Sequence, residues 1–410
     1  MKATLDAIET RLCEHLASRA RDMRNDLEDH VAIPTGKNHA PGLDKYREIL
    51  VTRYEALGAI ISTHDGRHRP DWLGGSHDVF RPPPTAVCEH PGKGEARILI
   101  ACHLDTVFDP RGDFTDFLVS PDGDVATGPG VVDMKGGVLV ALYALEALHA
   151  CGVDAHWTVA LTSDEETGSY ASEHILRELA RHHDVGIATE PAMEDGSLAI
   201  ERMGSGQFMI EVHGRSAHVG RSFTQGISAV NELARILLEI ERMPDPERGK
   251  IVSVGPIKGG PVTNAVPDYA SAWGNARFPD RQIGDEIVAQ LEGLATGQDA
   301  IPRVRVVHSF NRPAKPLIAQ TEAFGLMARE VAESLGQELP FASTGGVCDG
   351  NILQDEGLPT IDTLGVRGGG LHTPDEWIEL DSLVERAQLM AVLLYRLSTQ
   401  GFSPESAGAR

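Results

Sequence analysis

The chain has 410 residues, more than a single core usually holds, so two domains are expected. An apolar content of 41% with 24% charged residues is that of an ordinary globular protein, able to build a large core without disulfides. The formal net charge of −23 argues against nucleic acid and anionic membrane as partners, because both need a basic face.

Residues Ala3 to Leu27 carry Leu5, Ile8, Leu12, Leu16 and Met23 at roughly helical spacing, which predicts one amphipathic helix closed by Ile33-Pro34-Thr35. The polar start, Met1 to Asp6, lacks the apolar core of a signal peptide. A second helix is expected over Leu43 to Leu57, stopped by Gly58. From His64 to Pro84 the chain is rich in Gly, Pro, His and Asp and reads as loop. Arg97 to Cys102 is the first strong strand, and a polar loop spans Asp109 to Gly130. Val138 to Leu148 is an apolar helix; its longest apolar run, Val138 to Leu145, is far short of the ~20 residues that span a bilayer. Trp157 to Thr162 and Val185 to Thr189 are further strands, with a helix near Ser172 to Ala180 between them. This alternation predicts an α/β fold, a mostly parallel sheet with helices on both faces.

The pattern changes near residue 204. Strand Gln207–His213, helix Ile227–Arg242, strands Ile251–Pro256 and Tyr269–Phe278, helix Asp285–Leu294 and strand Arg303–Phe310 follow in the order β-α-β-β-α-β. That is the ferredoxin-like arrangement, a compact α+β unit in itself. Residues 204–314 are therefore expected as an inserted lid or dimerisation domain, with the catalytic domain formed by 1–203 and 315–410. A helix from Thr321 to Leu335, a strand from Pro359 to Leu364 and a helix from Asp381 to Leu397 complete it. The 5 cysteines, Cys13, Cys88, Cys102, Cys151 and Cys348, form no CxxC, which points to a reducing compartment and no thiolate metal site. The cytoplasm is the expected location.

Several apolar runs stop at a residue that can carry chemistry: His103, Asp105, Asp133, Glu165, Glu166 and Glu190, joined late by His372. In open α/β sheets that edge is where ligands bind. Gathered there without counter-charge, the carboxylates would repel one another strongly. A pair of divalent cations removes the difficulty. The donors are N and O without S, which suits zinc, with cobalt or manganese as substitutes.

The motifs His103-Leu-Asp105-Thr-Val, Gly128-Pro-Gly-Val-Val-Asp133-Met-Lys-Gly-Gly, Asp164-Glu165-Glu166-Thr-Gly168, Glu190-Pro191 and His372-Thr-Pro-Asp-Glu-Trp377 resemble, in order, those of the dizinc aminoacylase/carboxypeptidase metallopeptidases. That family includes glutamate carboxypeptidases, acetylornithine deacetylases and succinyl-diaminopimelate desuccinylases, and the glutamate carboxypeptidase branch is the most similar. The resemblance implies two zinc ions per chain. Asp133 would bridge them, His103 and Glu190 would hold one, and Glu166 and His372 the other. Glu165 would be the general base for a metal-activated water, with Asp105 orienting His103. It also implies a cis peptide bond between Asp133 and Met134. Pro129 and Met134 depart from the commoner pattern, but neither is a ligand.

In the inserted region, His218 of Gly214-Arg-Ser-Ala-His218 resembles an oxyanion-binding residue that reaches a partner subunit's site. Asn264 and Arg277 resemble substrate-contacting residues, Arg277 for the carboxylate. Gly345 and Gly346 resemble a glycine-rich substrate loop. The implied function is hydrolysis of a peptide or N-acyl amino acid with a free carboxylate, such as a C-terminal glutamate, by a homodimer. The alternatives are an N-acyl amino acid deacylase of a biosynthetic intermediate and an inactive metal-binding homologue acting through interactions. A nicotinamide oxidoreductase fits poorly, since the turn at 128–133 lacks a third glycine.

Overall fold

The strand Arg97–His103 is buried from Ile98 onward. Its side chains divide between two cores. Ile98, Ile100 and Cys102 join the larger cluster, with the helices Gly136–Ala150 and Asp381–Gln400. Leu99 and Ala101 join a smaller one, with Leu176 of the helix Glu173–Ala180 and Ile352 of Asp349–Asp355. A strand covered on both faces has no polar side, which is why the sequence reads as a continuous apolar run. The computed structural model describes residues 4–36, 39–73 and 81–403.

The central sheet has six strands in the order Ile60–His64, Thr85–Pro91, His156–Thr162, Arg97–His103, Val185–Ala188, Thr360–Ile361. The first two pairings are antiparallel and the other three parallel. The fold is thus mixed α/β around a mostly parallel sheet. His103 pairs with Thr162, and Ala101 with Ala188, so three neighbouring strands end together at one edge.

A second sheet, wholly antiparallel, is built from residues 204–312 in the order Ile251–Gly259, Tyr269–Phe278, Gly204–His213, Arg303–Arg312. Phe208, Ile210 and Val212 pack under the helices Ala229–Ile240 and Arg281–Glu292, through Leu233, Ile236, Ile287 and Leu291. Helices cover this face alone; on the other, Met209 is buried beside Trp273, which donates to the Trp72 carbonyl oxygen at 2.6 Å, and Gln207 and Glu211 are only half-buried.

Several expectations need correction. The first helix is two, Ala7–Ser18 and Ala20–Val31, meeting at Arg19, whose φ of −98° and ψ of 5° leave the helical region. The bend lets Leu12, Leu16, Met23 and Leu27 all reach full burial. The stretch taken as loop from His64 is preceded by the edge strand Ile60–His64 and holds a short turn at Asp71–Leu73; Thr85–Pro91, just after it, is a strand. Residues 74–80 lie outside the described part. Within 109–130, Leu118–Val119 and Val125–Thr127 are short strands. The strand foreseen at Pro359–Leu364 is only Thr360–Ile361, because Thr363 turns the chain at a φ of 63°. Among the described residues no helix is long and apolar enough to cross a membrane.

Candidate metal centre

His103 closes its strand, and Glu165 and Glu166 follow the neighbouring strand by three and four residues. Glu190 follows the other neighbour by two. Asp133 comes from the turn Val131–Lys135, which opens the helix Gly136–Ala150. That helix starts hard against the strand end: a Cβ on Gly137 would lie 1.9 Å from the Thr189 carbonyl oxygen, so only glycine permits the approach. His372 arrives last, on a loop, with a left-handed φ of 62°.

The five residues expected as ligands do meet. His103, Asp133 and Glu190 form one group and Asp133, Glu166 and His372 another, each with donor atoms within 4.8 Å of one another. Asp133 is common to both. Its Oδ1 lies 3.1 Å from His103 Nε2, and its Oδ2 lies 3.3 Å from His372 Nε2. Glu190 Oε1 is 3.9 Å from His103 Nε2, and Glu166 Oε2 is 3.4 Å from His372 Nε2. Glu166 Oε1 is buried with no hydrogen-bond partner, a position a cation would satisfy. The donor set therefore fits divalent cations with N and O preference.

The electrostatics agree. Burial pushes the Glu190 carboxyl well above its usual range and Glu166 up to about 7, with Asp133 and Glu165 adding repulsion. His103 and His372 are held above their ordinary values, His372 up to about 10; burial opposes this at His103, but hydrogen bonds to Asp105 and Asp133 outweigh it. Asp133, despite burial, is pulled below its usual value by both imidazoles. The cluster holds protons where it has no cation, so cation uptake must release them.

Two further carboxylates hold the backbone that carries these ligands. Asp105 accepts from the Glu165 and Glu166 amides at 3.2 and 3.0 Å, while His103 Nδ1 sits 3.0 Å from the Asp105 carbonyl oxygen and 3.6 Å from its carboxylate. Glu376 accepts from the amides of Gly130, Val132 and Asp133 at 2.9–3.0 Å. Glu376 stands inside the His372–Trp377 motif, but sequence reasoning gave it no task.

The site opens into a cavity of about 1190 Å³, lined on one side by Glu165, Glu190 and His372 and on the other by Arg277 and Arg312 from the antiparallel sheet. Arg277, Ser205 and Arg312 form one row across three strands. Arg277 Nη1 is buried without a partner, and burial and Arg312 lower its pKa. Arg312, which the sequence gave no reason to single out, donates from Nη1 to Glu165 Oε1 at 2.7 Å. Glu165 is pushed upward by burial and drawn back by this guanidinium. Gly346 lines the cavity; Gly345 is exposed and does not. His218 and Asn264 are exposed and outside it, side by side where His218 pairs with Ala265.

Carboxylates and imidazoles disposed about one shared aspartate, buried or half-buried except at His372 and beneath an open cavity, suit a metal-dependent hydrolase. The chain belongs to peptidase family M20/M25/M40, whose sequence model matches residues 99–396. Among its relatives, carboxypeptidase G2 of Pseudomonas sp. (strain RS-16) is 27% identical over 384 residues, covering 90% of this chain and 88% of that protein. Succinyl-diaminopimelate desuccinylase 2 of Shewanella loihica is 28% identical over 331 residues, covering 73% and 85%. A tripeptidase structure from Staphylococcus aureus superposes with a TM-score of 0.72 at 21% identity, covering 92% of this chain and 99% of that one. The metallo-carboxypeptidase Sso-CP2 of Sulfolobus solfataricus gives 0.68 at 15%, covering 91% and 98%. At these identities the structures speak for the fold.

Proposed function

We propose that this chain is a dizinc hydrolase that removes an amino acid bearing a free carboxylate from a peptide or N-acyl conjugate, with a C-terminal glutamate-like residue as the leading candidate. The observation that carries the reading is the single carboxylate, Asp133, facing two imidazoles with one oxygen each, across a cavity from the unpartnered guanidinium of Arg277. His103, Asp133 and Glu190 would hold one zinc and Asp133, Glu166 and His372 the other, with cobalt or manganese as substitutes. Bound cations supply Lewis acidity to the scissile carbonyl and acidity to a water. Glu165 would take one proton from the attacking water as its oxygen bonds to the carbonyl carbon, and would return it to the leaving amine as the C–N bond breaks. Arg277 offers a charge-assisted fork to the substrate carboxylate.

The sheet of residues 204–312 acts, in this reading, as a ferredoxin-like lid inserted into the catalytic domain. Its edge strand Ile251–Gly259 leaves Ile251 and Ile257 exposed, as does Val262 just beyond, which suits pairing with a second copy. His218 and Asn264, outside their own chain's cavity, would then serve the partner's. The likeness to carboxypeptidase G2 favours glutamate; the likeness to desuccinylases keeps N-acyl deacylation as the second reading.

The test is a panel of glutamyl conjugates and acetylated or succinylated amino acids, assayed with and without chelator. Zinc-loaded protein should turn over at least one, and chelation should abolish it. Glu165→Gln should keep both metals and lose about 10²–10⁴-fold in kcat. Normal hydrolysis by that variant would remove Glu165 from the role of base.

A further inference from the structure

We infer that Arg312 is a positioning residue for Glu165, tying the proposed base to the antiparallel sheet so that the two move as one unit. The inference rests on Glu165 being the base.

The guanidinium grips one residue at two points. Nη1 donates to the Glu165 carboxylate and Nη2 to its backbone carbonyl oxygen, both at 2.7 Å. Nη2 also donates to Ser169 Oγ at 2.7 Å, and Ser169 in turn donates to Asp349 at 2.5 Å. Asp349 accepts from Thr162 Oγ1 at 2.9 Å, at the end of the central strand that leads to Glu165. The Arg312 side chain is buried, so this lattice is desolvated and its geometry is specific.

Arg312 reaches this place because its strand slips register between Ser309 and Arg312. A bulge of this kind re-aims a side chain. Its neighbour Asn311 donates to the Gly168 carbonyl oxygen at 2.6 Å, so two successive residues hold the segment 165–169. The crossings between the sheets are fastened too. Asn351 Nδ2 donates to the carbonyl oxygens of Met203 and Pro313, at 3.0 and 2.8 Å. Arg202 and Lys315 exchange backbone hydrogen bonds at 2.9 Å.

A glutamate beside Asp105, Glu166 and Glu190 would otherwise swing away from them. With Oε1 anchored, Oε2 is the atom left to accept the proton. A residue that merely bound substrate would have a free fork, and the free fork in this row is the Nη1 of Arg277.

A double-mutant cycle on the zinc-loaded enzyme, read with an N-acyl glutamate, separates the possibilities. Arg312→Met should lower kcat about 10²-fold, the scale of a small misplacement, with KM within about threefold and zinc content unchanged. Combined with Glu165→Gln it should add no further loss, because both act through one carboxylate. Arg312→Lys, which keeps the charge but not the fork, should fall between and serves if Arg312→Met does not fold. Overturning results are a raised KM with kcat intact, a loss that multiplies in the double variant, or no loss at all. If instead Glu165→Gln itself turns over normally, the reading of the base fails and this inference with it, an outcome distinct from multiplied losses.

Discussion

Along Arg97–His103 every side chain after the first is buried, and chemistry begins where the strand stops; along Gly204–His213 it sits in mid-strand, on alternate residues. Ser205 and Gln207 line the cavity while Phe208, Ile210 and Val212 fill the core behind them. The central sheet is covered on both faces, so only its edge can meet a ligand. The antiparallel sheet has helices on one face, and from the other Ser205, Gln207, Asn275 and Arg277 reach the cavity. The first region can therefore hold cations rigidly, and the second can present a broad, replaceable surface to substrate.

On that division, the largest effect belongs to Asp133→Ala. Losing the shared carboxylate should cost both metals and drop turnover by at least ~10³-fold, read by elemental analysis and initial rates. Metal uptake by the unloaded wild type should release protons at neutral pH, since the His372 imidazole is pushed up to about 10 by its carboxylate partners. The apparent affinity should accordingly rise with pH up to about 10, the value to which His372 is pushed. A variant that kept one metal and half its rate would break the comparison.

The seam between the regions should show next. Asp362 is fully buried between Arg202 and Lys315, at 2.8 and 3.2 Å. Asp362→Ala strands two buried cations and should cost about 3–5 kcal/mol in urea unfolding. The two cations hold the Asp362 carboxyl below its usual value, against burial. With the folded value depressed, its stabilisation is complete above the unfolded value of about 4 and is lost as pH falls through the folded one. Asp362→Asn should flatten that acid limb.

His103, Asp133, Glu166, Glu190 and His372 were legible as candidate ligands because each follows an apolar run or a glycine turn. The β-α-β-β-α-β order was legible from alternation in the same way. Arg312 was not, because its position depends on a register slip that no periodicity records. Glu376 was not, because its work is on backbone amides from residues 130–133, remote in sequence. The bend at Arg19 escaped for a related reason: Leu16 and Met23 keep helical spacing across it.

The antiparallel sheet supplies the smaller effects, and here the comparison is sharpest. Arg277→Met should raise KM about 10–100-fold, the range of a lost charge-assisted hydrogen bond, with kcat and zinc content kept. Gln207 stands two residues along its strand from Ser205, paired with Asn275 and also lining the cavity. Gln207→Leu removes at most a neutral hydrogen bond worth about 1 kcal/mol, so KM should rise only about fivefold. The two rows should therefore differ by substrate as well as by size. Removing the carboxylate from the substrate should erase the Arg277 effect, since its fork then has nothing to bind, and leave the Gln207 effect in place. A Gln207→Leu variant that lost kcat and zinc would mean that the open face also shapes the metal centre, and the separation of holding from recognising would fail there.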